Sequence, residues 1–347
     1  MRIALDAMGS DRAPAVEVEG AVGALLERTD LEMVLVGDRG LIEAELARHP
    51  DAPRDRVSVV HTTQVIEMGE SAAQAVRRKQ DSSIVVGTRL HKDGEVDAFV
   101  SAGSTGAVMA ASLIILRPLS GVDRPAIGAD LPSTSGRFLL LDMGANVDVK
   151  PQHLLQFAHL GHIYAQDLMG ITSPRVGLLN IGEEEEKGNE QTVEAFQLLK
   201  GDPNLDFVGN IEGRDIIRGK CDVLVCDGFV GNVVIKLFEG LTSYIFNSLR
   251  TDLQQGPIAP LALLTLKPGF ARMRQRFDYE RYGGAPLLGV RGVSIVTHGR
   301  AKARMVENAV RVAAEASAAG LPAVIAEWSR QSSSLPAAVP AAPGADA

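Results

Sequence analysis

Five short segments combine glycine with small polar residues in a pattern suited to holding an anion. They are Asp6-Ala7-Met8-Gly9-Ser10-Asp11, Ser101-Ala102-Gly103-Ser104-Thr105-Gly106, Asp142-Met143-Gly144-Ala145-Asn146, Asn180-Ile181-Gly182-Glu183 through Lys187-Gly188-Asn189, and Asp227-Gly228-Phe229-Val230-Gly231-Asn232. Glycine lets backbone come close to a ligand and adopt positive φ, while Asp, Asn, Ser and Thr donate or accept hydrogen bonds there. One such segment alone is equally a plain turn or a helix cap. Five, each directly after a β-rich run, are expected to line one edge of a sheet and form a polar, anion-binding cleft. Lys187 follows Glu183, Glu184, Glu185 and Glu186 and could be the cation of that cleft; its plainer role is a solvated lysine offsetting four carboxylates. Consecutive acids on one loop more often face water than chelate a hard cation, so no metal site is expected.

Other chemistry-bearing residues carry weaker signals. Arg77, Arg78 and Lys79 make a basic spot at a helix C-terminus, where cations also suit the helix dipole. His153, His159 and His162 share one helical segment at spacings that do not put all three on one face, which favours core or surface roles over ligation. His298, in Val296-Thr297-His298-Gly299, stands at another strand end as an acid–base candidate. Cys226 precedes Asp227 and reads as a small buried hydrophobe rather than a nucleophile. No G-x-G-x-x-G follows a strand, and Gly182, Lys187 and Gly188 stand in the wrong order for a P-loop. The Gly103-Ser104-Thr105-Gly106 run is not a nucleophile elbow, and neither H-E-x-x-H nor C-x-x-C occurs.

The elements that must position these segments alternate. Ile3 to Leu5, Met33 to Val36, Val57 to Val60, Ala98 to Val100, Phe138 to Leu141, Val176 to Asn180 and Val223 to Val225 are nearly continuous apolar runs, as in strands covered on both faces. Helical patterns lie between them at Val16 to Glu27, Leu41 to Arg48, Ala72 to Lys79, Pro151 to Gln166, Glu190 to Lys200 and Val233 to Leu249. This predicts an α/β fold with a mostly parallel, doubly wound sheet; the length suggests two domains, although such folds often run this long as one unit. In such a sheet ligands bind beyond the carboxyl ends of the strands.

Composition agrees. The chain has 347 residues with 46% hydrophobic and 22% charged, and a net charge of −8, an ordinary globular balance. An acidic isoelectric point of about 5.5 argues against a nucleic-acid partner. Two cysteines, Cys221 and Cys226, make no disulfide framework, and the early Asp6 leaves no room for a signal-peptide core, so a cytoplasmic location is expected. Residues 256 to 277 depart from the pattern: Leu261, Leu263, Leu264 and Leu266 precede Lys267, Arg272, Arg274 and Arg276. An apolar run flanked by cations suits a lipid interface, an acidic partner, or a packing helix or lid. The Ser, Pro and Ala tail from 331 to 347 is expected to be disordered.

Together the segments IALDAMGSD, RRKQDSS, SAGSTGA, LDMGAN, LLNIGEEEEKGNE, FVGNIEGRD, CDGFVGN followed by Val233-Val234-Ile235-Lys236, and YGGAPLLGV resemble the bacterial phosphate acyltransferase family (PlsX) from about residue 3 to residue 315. The resemblance implies an enzyme that makes acyl phosphate from acyl-acyl-carrier protein and orthophosphate for phospholipid synthesis. It implies a single three-layer α/β/α catalytic domain over 1–330, in a homodimer similar to the isocitrate/isopropylmalate dehydrogenase and phosphotransacetylase folds, with no cofactor. It also implies peripheral attachment to the inner face of the membrane, beside a membrane acyltransferase that takes the product. Ser10, Ser104 and Ala72 depart from the family pattern, and only Ser104 touches an implied site. On this resemblance Lys187 and Asn232 are the catalytic candidates, with Asp6, Gly9, Ser104, Thr105, Gly106, Asp142, Asn146, Asn189 and Asp227 around the substrate. Leu261, Leu263, Leu264, Leu266, Lys267, Arg272 and Arg274 would meet membrane or carrier protein. The rivals are a coenzyme-A phosphotransacetylase and a non-catalytic carrier-protein or lipid sensor.

Overall fold

A computed structural model describes residues 1–253, Gly269 and 283–333. The first half runs β1 (Arg2–Asp6), α1 (Ala15–Glu27), β2 (Glu32–Gly37), α2 (Arg39–Leu46), β3 (Val57–His61), α3 (Ala72–Arg78), α4 (Ser83–Lys92), β4 (Ala98–Ser101) and α5 (Thr105–Ala111). It continues with β5 (Ala126–Ser133), β6 (Gly136–Leu141), α6 (Pro151–Asp167), β7 (Arg175–Asn180), α7 (Glu190–Lys200), β8 (Asp206–Glu212), β9 (Val223–Val225) and α8 (Gly228–Leu253). Beyond the segment that is not described come β10 (Ala285–Leu288), β11 (Ser294–Val296), α9 (Ala303–Ala318) and α10 (Leu321–Ser333).

β1, β2, β4, β6 and β9 are largely apolar because both of their faces are covered. Ile3, Leu5, Met33 and Leu35 pack into one core with α1 and α9, while Ala4, Val34 and Val36 turn the other way toward α3, α4 and α5. In the second half Leu139 and Leu141 join the first core, and Phe138 and Leu140 meet Ile235 and Phe238 of α8. The alternation is the period-two geometry of a strand carried into a three-layer sandwich.

The eleven strands among the described residues form one sheet in the order β3-β2-β1-β4-β11-β10-β5-β6-β9-β7-β8. Pairing is parallel within β3 to β11 and within β6 to β8, but β11–β10, β10–β5 and β5–β6 are antiparallel. Three reversals leave the two parallel halves running in opposite directions. The expectation of one polar edge is therefore corrected: the loops after β1, β4 and β11 leave one edge, and those after β6, β7 and β9 leave the other. The reversal rests on β5, which carries Gly128, Asp130 and Pro132 and so lacks the apolar signature of a strand. Pro132 is tolerated because β5 is paired there only with β6.

Two boundaries also move. The Asp227 to Asn232 segment is mostly the first turns of α8, which begins at Gly228 rather than Val233. Gln331 to Ser333 close α10 instead of opening the tail. The predicted tail from 334 and the apolar-basic island, with Leu261, Leu263, Leu264, Leu266, Lys267, Arg272 and Arg274, lie outside the described residues.

Candidate active site

The loops after β1 and β4 are locked to one another. Asp6 is fully buried and accepts from the Ser101 hydroxyl at 2.7 Å and the Met8 N–H at 3.0 Å. Ser101 Oγ accepts in turn from the Gly103 N–H at 3.0 Å. A Cβ on Gly9 would fall 2.5 Å from the Gly103 nitrogen, so only glycine lets the two loops touch. Ser104 caps α5 by accepting from the Ala107 N–H at 3.4 Å, and leaves Thr105 and Gly106 in the first turn.

Beneath this loop pair lies Glu17, wholly buried, whose Oε1 accepts from the Ser10 N–H at 2.8 Å while Oε2 has no partner. Burial pushes its carboxyl up from 4.5 to about 7. The folded protein then binds a proton that the unfolded chain has released, so this contribution to stability is present below about pH 4.5 and is lost as pH rises through about 7. Glu17→Gln keeps the acceptor for Ser10 and removes the charge. We expect it to match the wild type near pH 4.5 and to exceed it by up to about 3 kcal/mol at pH 8 in denaturant unfolding. An unchanged pH dependence would reject this account.

The loop after β6 is organised by Asp142, also fully buried. Its carboxylate accepts from the N–H groups of Ile127, Gly144, Ala145 and Asn146 and from Asn146 Nδ2, at 2.7 to 3.2 Å. Asn146 Nδ2 also donates to the Pro125 carbonyl at 2.9 Å, and the Asn146 carbonyl accepts from the Gly228 N–H at 2.8 Å. Asp227 accepts from the Val230 N–H at 2.8 Å and so starts α8. Gly231 sits directly under the Asp142 carbonyl, where any Cβ would collide. The next residue, Asn232, is exposed beside Gly144.

These loops surround a cavity of about 650 Å³ over the antiparallel centre of the sheet. Its lining combines polar residues, Thr105, Asn232, Lys236, Thr297 and His298 with the charged Asp11, Asp130, Glu239 and Arg300, and apolar ones, among them Met68, Met109, Leu131, Met143, Phe229 and Phe238. Of the predicted residues, Thr105, Gly106 and Asn232 line it, as does the acid–base candidate His298. Asp6, Gly9, Ser104, Asp142, Asn146 and Asp227 stand behind that lining and fix its backbone. Asn189 caps α7 through the Thr192 N–H at 2.9 Å.

Lys187 is exposed on the loop after β7 and is not part of the cavity wall. Glu183 pairs with Lys220 at 2.8 Å and Glu185 with Lys200 at 2.6 Å, while Lys187 makes no ion pair among the described residues. Two of the four glutamates are thus offset by other cations, while Glu184 and Glu186 make no ion pair among the described residues. Since β6, β9 and β7 are adjacent and parallel, Lys187, Asn146 and Asn232 share one sheet edge.

Several of the remaining candidates have structural partners, whereas His162 Nδ1 is buried without one among the described residues. His159 is buried against Trp328 with Nε2 2.7 Å from Asp202, and His153 Nδ1 accepts from the Lys150 N–H at 3.0 Å. Lys79 holds Glu70 and the Val65 carbonyl. Burial pushes the Cys226 thiol well up and the Cys221 thiol to about 12, so neither supplies a thiolate at neutral pH. Sequence reasoning overlooked Lys236, Thr297 and the apolar lining. Lys236 stands two turns inside a helix with no glycine beside it, and the lining is assembled from distant elements.

Residues 1–324 match the family described as "Fatty acid synthesis protein". A relative named phosphate acyltransferase, from Heliobacterium modesticaldum, is 54% identical over 313 residues, covering 90% of this chain and 93% of its own. The chain belongs to the phosphate acyltransferase family. A second phosphate acyltransferase, from Desulfitobacterium hafniense, is 53% identical over 316 residues, with 91% and 93% covered. Among solved structures, a phosphotransacetylase from Streptococcus pyogenes superposes with a TM-score of 0.60 at 18% identity over 92% of this chain and 94% of that one. The EutD phosphotransacetylase from Staphylococcus aureus gives 0.59 at 16% identity over 91% and 94%. At such identities the likeness is one of fold, so the phosphate acyltransferase family owns the sequence and shares its architecture with phosphotransacetylases.

Proposed function

We propose that this protein transfers the acyl group of a long-chain acyl-acyl-carrier protein to orthophosphate, making acyl phosphate for phosphatidic acid synthesis. The observation that carries the reading is the mixed lining of the cavity, which offers polar groups suited to phosphate and a thioester carbonyl together with apolar side chains suited to an acyl chain. In the reaction a phosphate oxygen attacks the thioester carbon, the carbonyl oxygen becomes anionic, and the tetrahedral intermediate collapses with the carrier thiolate leaving. The thiolate takes up a proton from solvent or phosphate. Phosphate is already nucleophilic at neutral pH, so the chain's task is to desolvate and aim it and to stabilise the oxyanion. Thr105 and Gly106, with Ser104 behind them, are assigned to phosphate and Asn232 to the orientation of the thioester; Lys187, outside the cavity wall, is assigned to the phosphate or the oxyanion through the sheet edge it shares with Asn232. Asp6, Gly9, Asp142, Asn146, Asn189 and Asp227 support them.

Palmitoyl-acyl-carrier protein incubated with the purified protein should release thiol only when orthophosphate is present, and acetyl-CoA should not substitute. Phosphate-independent release, or none, overturns the reading; efficient use of acetyl-CoA moves it to a coenzyme-A phosphotransacetylase. Lys187→Ala in a folded protein should lower turnover by roughly a hundredfold or more, the effect expected for one charged transition-state donor.

Association belongs to the same proposal. Phe229, Val233, Leu237, Leu241, Tyr244 and Ile245 make an apolar stripe along α8, with Leu237 66% and Tyr244 70% exposed. We assign it to a second copy of the chain in a homodimer, and residues 256–277, which follow α8, to peripheral contact with the inner face of the membrane, near the membrane acyltransferase that takes the acyl phosphate. Leu237→Glu with Leu241→Glu should then give a monomer by light scattering. Leu263→Glu with Leu266→Glu should abolish co-sedimentation with anionic vesicles while leaving soluble activity intact.

A further inference from the structure

Two polar residues that line the cavity, Lys236 and His298, face one another. His298 follows β11, and its loop is clamped on both sides, by the Thr297 N–H donating to the Ser101 carbonyl at 2.9 Å and the Asp11 N–H donating to the Gly299 carbonyl at 2.8 Å. The imidazole Nδ1 accepts from the Arg300 N–H at 3.1 Å. An accepting nitrogen carries no proton, so the proton of the neutral ring is on Nε2. Nε2 in turn lies 3.4 Å from Lys236 Nζ. An ammonium and an N–H cannot bond to each other; two donors at that separation call for a shared acceptor. Glu239 takes only one direction of the ammonium, at 2.9 Å, and thereby pins it. Thr297, in the same lining, has a buried hydroxyl with no partner among the described residues.

We propose that Lys236 and His298 form a two-pronged receptor for phosphate oxygens, one supplied by α8 and one by the loop after β11. This deepens the acyltransferase reading and rests on it. A phosphate bridging Nζ and Nε2 satisfies both donors with charge-assisted hydrogen bonds, which an uncharged ligand does not do equally well. Phosphate reaches the cavity in two forms, free orthophosphate and the phosphodiester of the carrier's pantetheine arm, and the kinetics separate them.

Lys236→Met and His298→Ala should each raise one KM by roughly ten- to a hundredfold, the effect of losing a hydrogen bond to a charged group. A rise for orthophosphate identifies the nucleophile as the ligand; a rise for the acyl carrier protein identifies the arm. His298→Gln, whose amide N–H can stand in for Nε2–H, should recover most of the loss, as a merely structural histidine would not allow. Both KM values within twofold of wild type in folded variants would overturn the proposal. Should the wild type fail to turn over, the acyltransferase reading falls, and titration with inorganic phosphate decides the receptor by itself. The His298 imidazole resonances, assigned from their loss in His298→Gln, should move at millimolar phosphate and stay still with sodium chloride at equal ionic strength. An unmoved signal would reject the receptor.

Discussion

Asp142→Ala is expected to lower the unfolding free energy by roughly 4 kcal/mol or more and to abolish phosphate-dependent thiol release. The buried carboxylate accepts five hydrogen bonds, four from backbone N–H groups and one from Asn146 Nδ2. Alanine would leave those donors in a space closed to water, and each orphaned donor costs about 1–3 kcal/mol, less than additively because the loop can relax. Relaxation has its own consequence, since the Asn146 carbonyl anchors Gly228 at the start of α8. Asp142→Asn should fall between, because the amide still accepts at one oxygen but turns its NH2 against N–H donors. Denaturant titration checks the stability and the thiol assay the activity; a folded, fully active Asp142→Ala protein would contradict the role given to this loop.

Gly231→Ala should be the most damaging single-methyl change near the cavity. The added carbon would overlap the Asp142 carbonyl oxygen and come within 3.1 Å of Cys226 Sγ. Neither atom belongs to a flexible side-chain end, so α8 must lift away. Overpacking of this kind costs about 1–3 kcal/mol. The effect on chemistry should be larger, because Asn232 and Lys236 ride on the displaced turns and a shift of about 1 Å in a positioning group can reduce rate roughly a hundredfold. The expected signature is a folded protein with a modestly lowered melting temperature and greatly reduced turnover. Wild-type turnover would show that α8 is not held where Gly231 places it. Gly240→Ala is the control, since a Cβ there meets nothing within 4 Å.

Much of the architecture was legible because the strands are short apolar runs buried on both faces. Val223–Val225 and Glu190–Lys200 carry the boundaries that the pattern predicts, and the other predicted elements differ mainly at their ends. β5, β8, β10 and β11 were not legible. β5 mixes Gly, Asp and Pro, β8 is an exposed edge, and β10 contains Pro286. The start of α8 was missed for another reason. Gly228 and Gly231 are poor helix formers in isolation, and the helix begins there because the Asp142 loop requires a surface without side chains.

The sequence by itself determined the α/β class, the family and the set of glycine-and-polar loops, because each is written in local residue types and their order. Only the tertiary structure decided how those loops are shared out. The three antiparallel pairings at the centre turn one half of the sheet against the other, which no local pattern encodes. That reversal brings Thr105 and His298 from one edge over the same cavity as Asn232 from the other, and leaves Lys187 farther along the second edge. It also decided the roles of the acids: Asp6 and Asp142 look like ligands in the sequence, but burial among backbone donors makes them the frame on which the cavity is built.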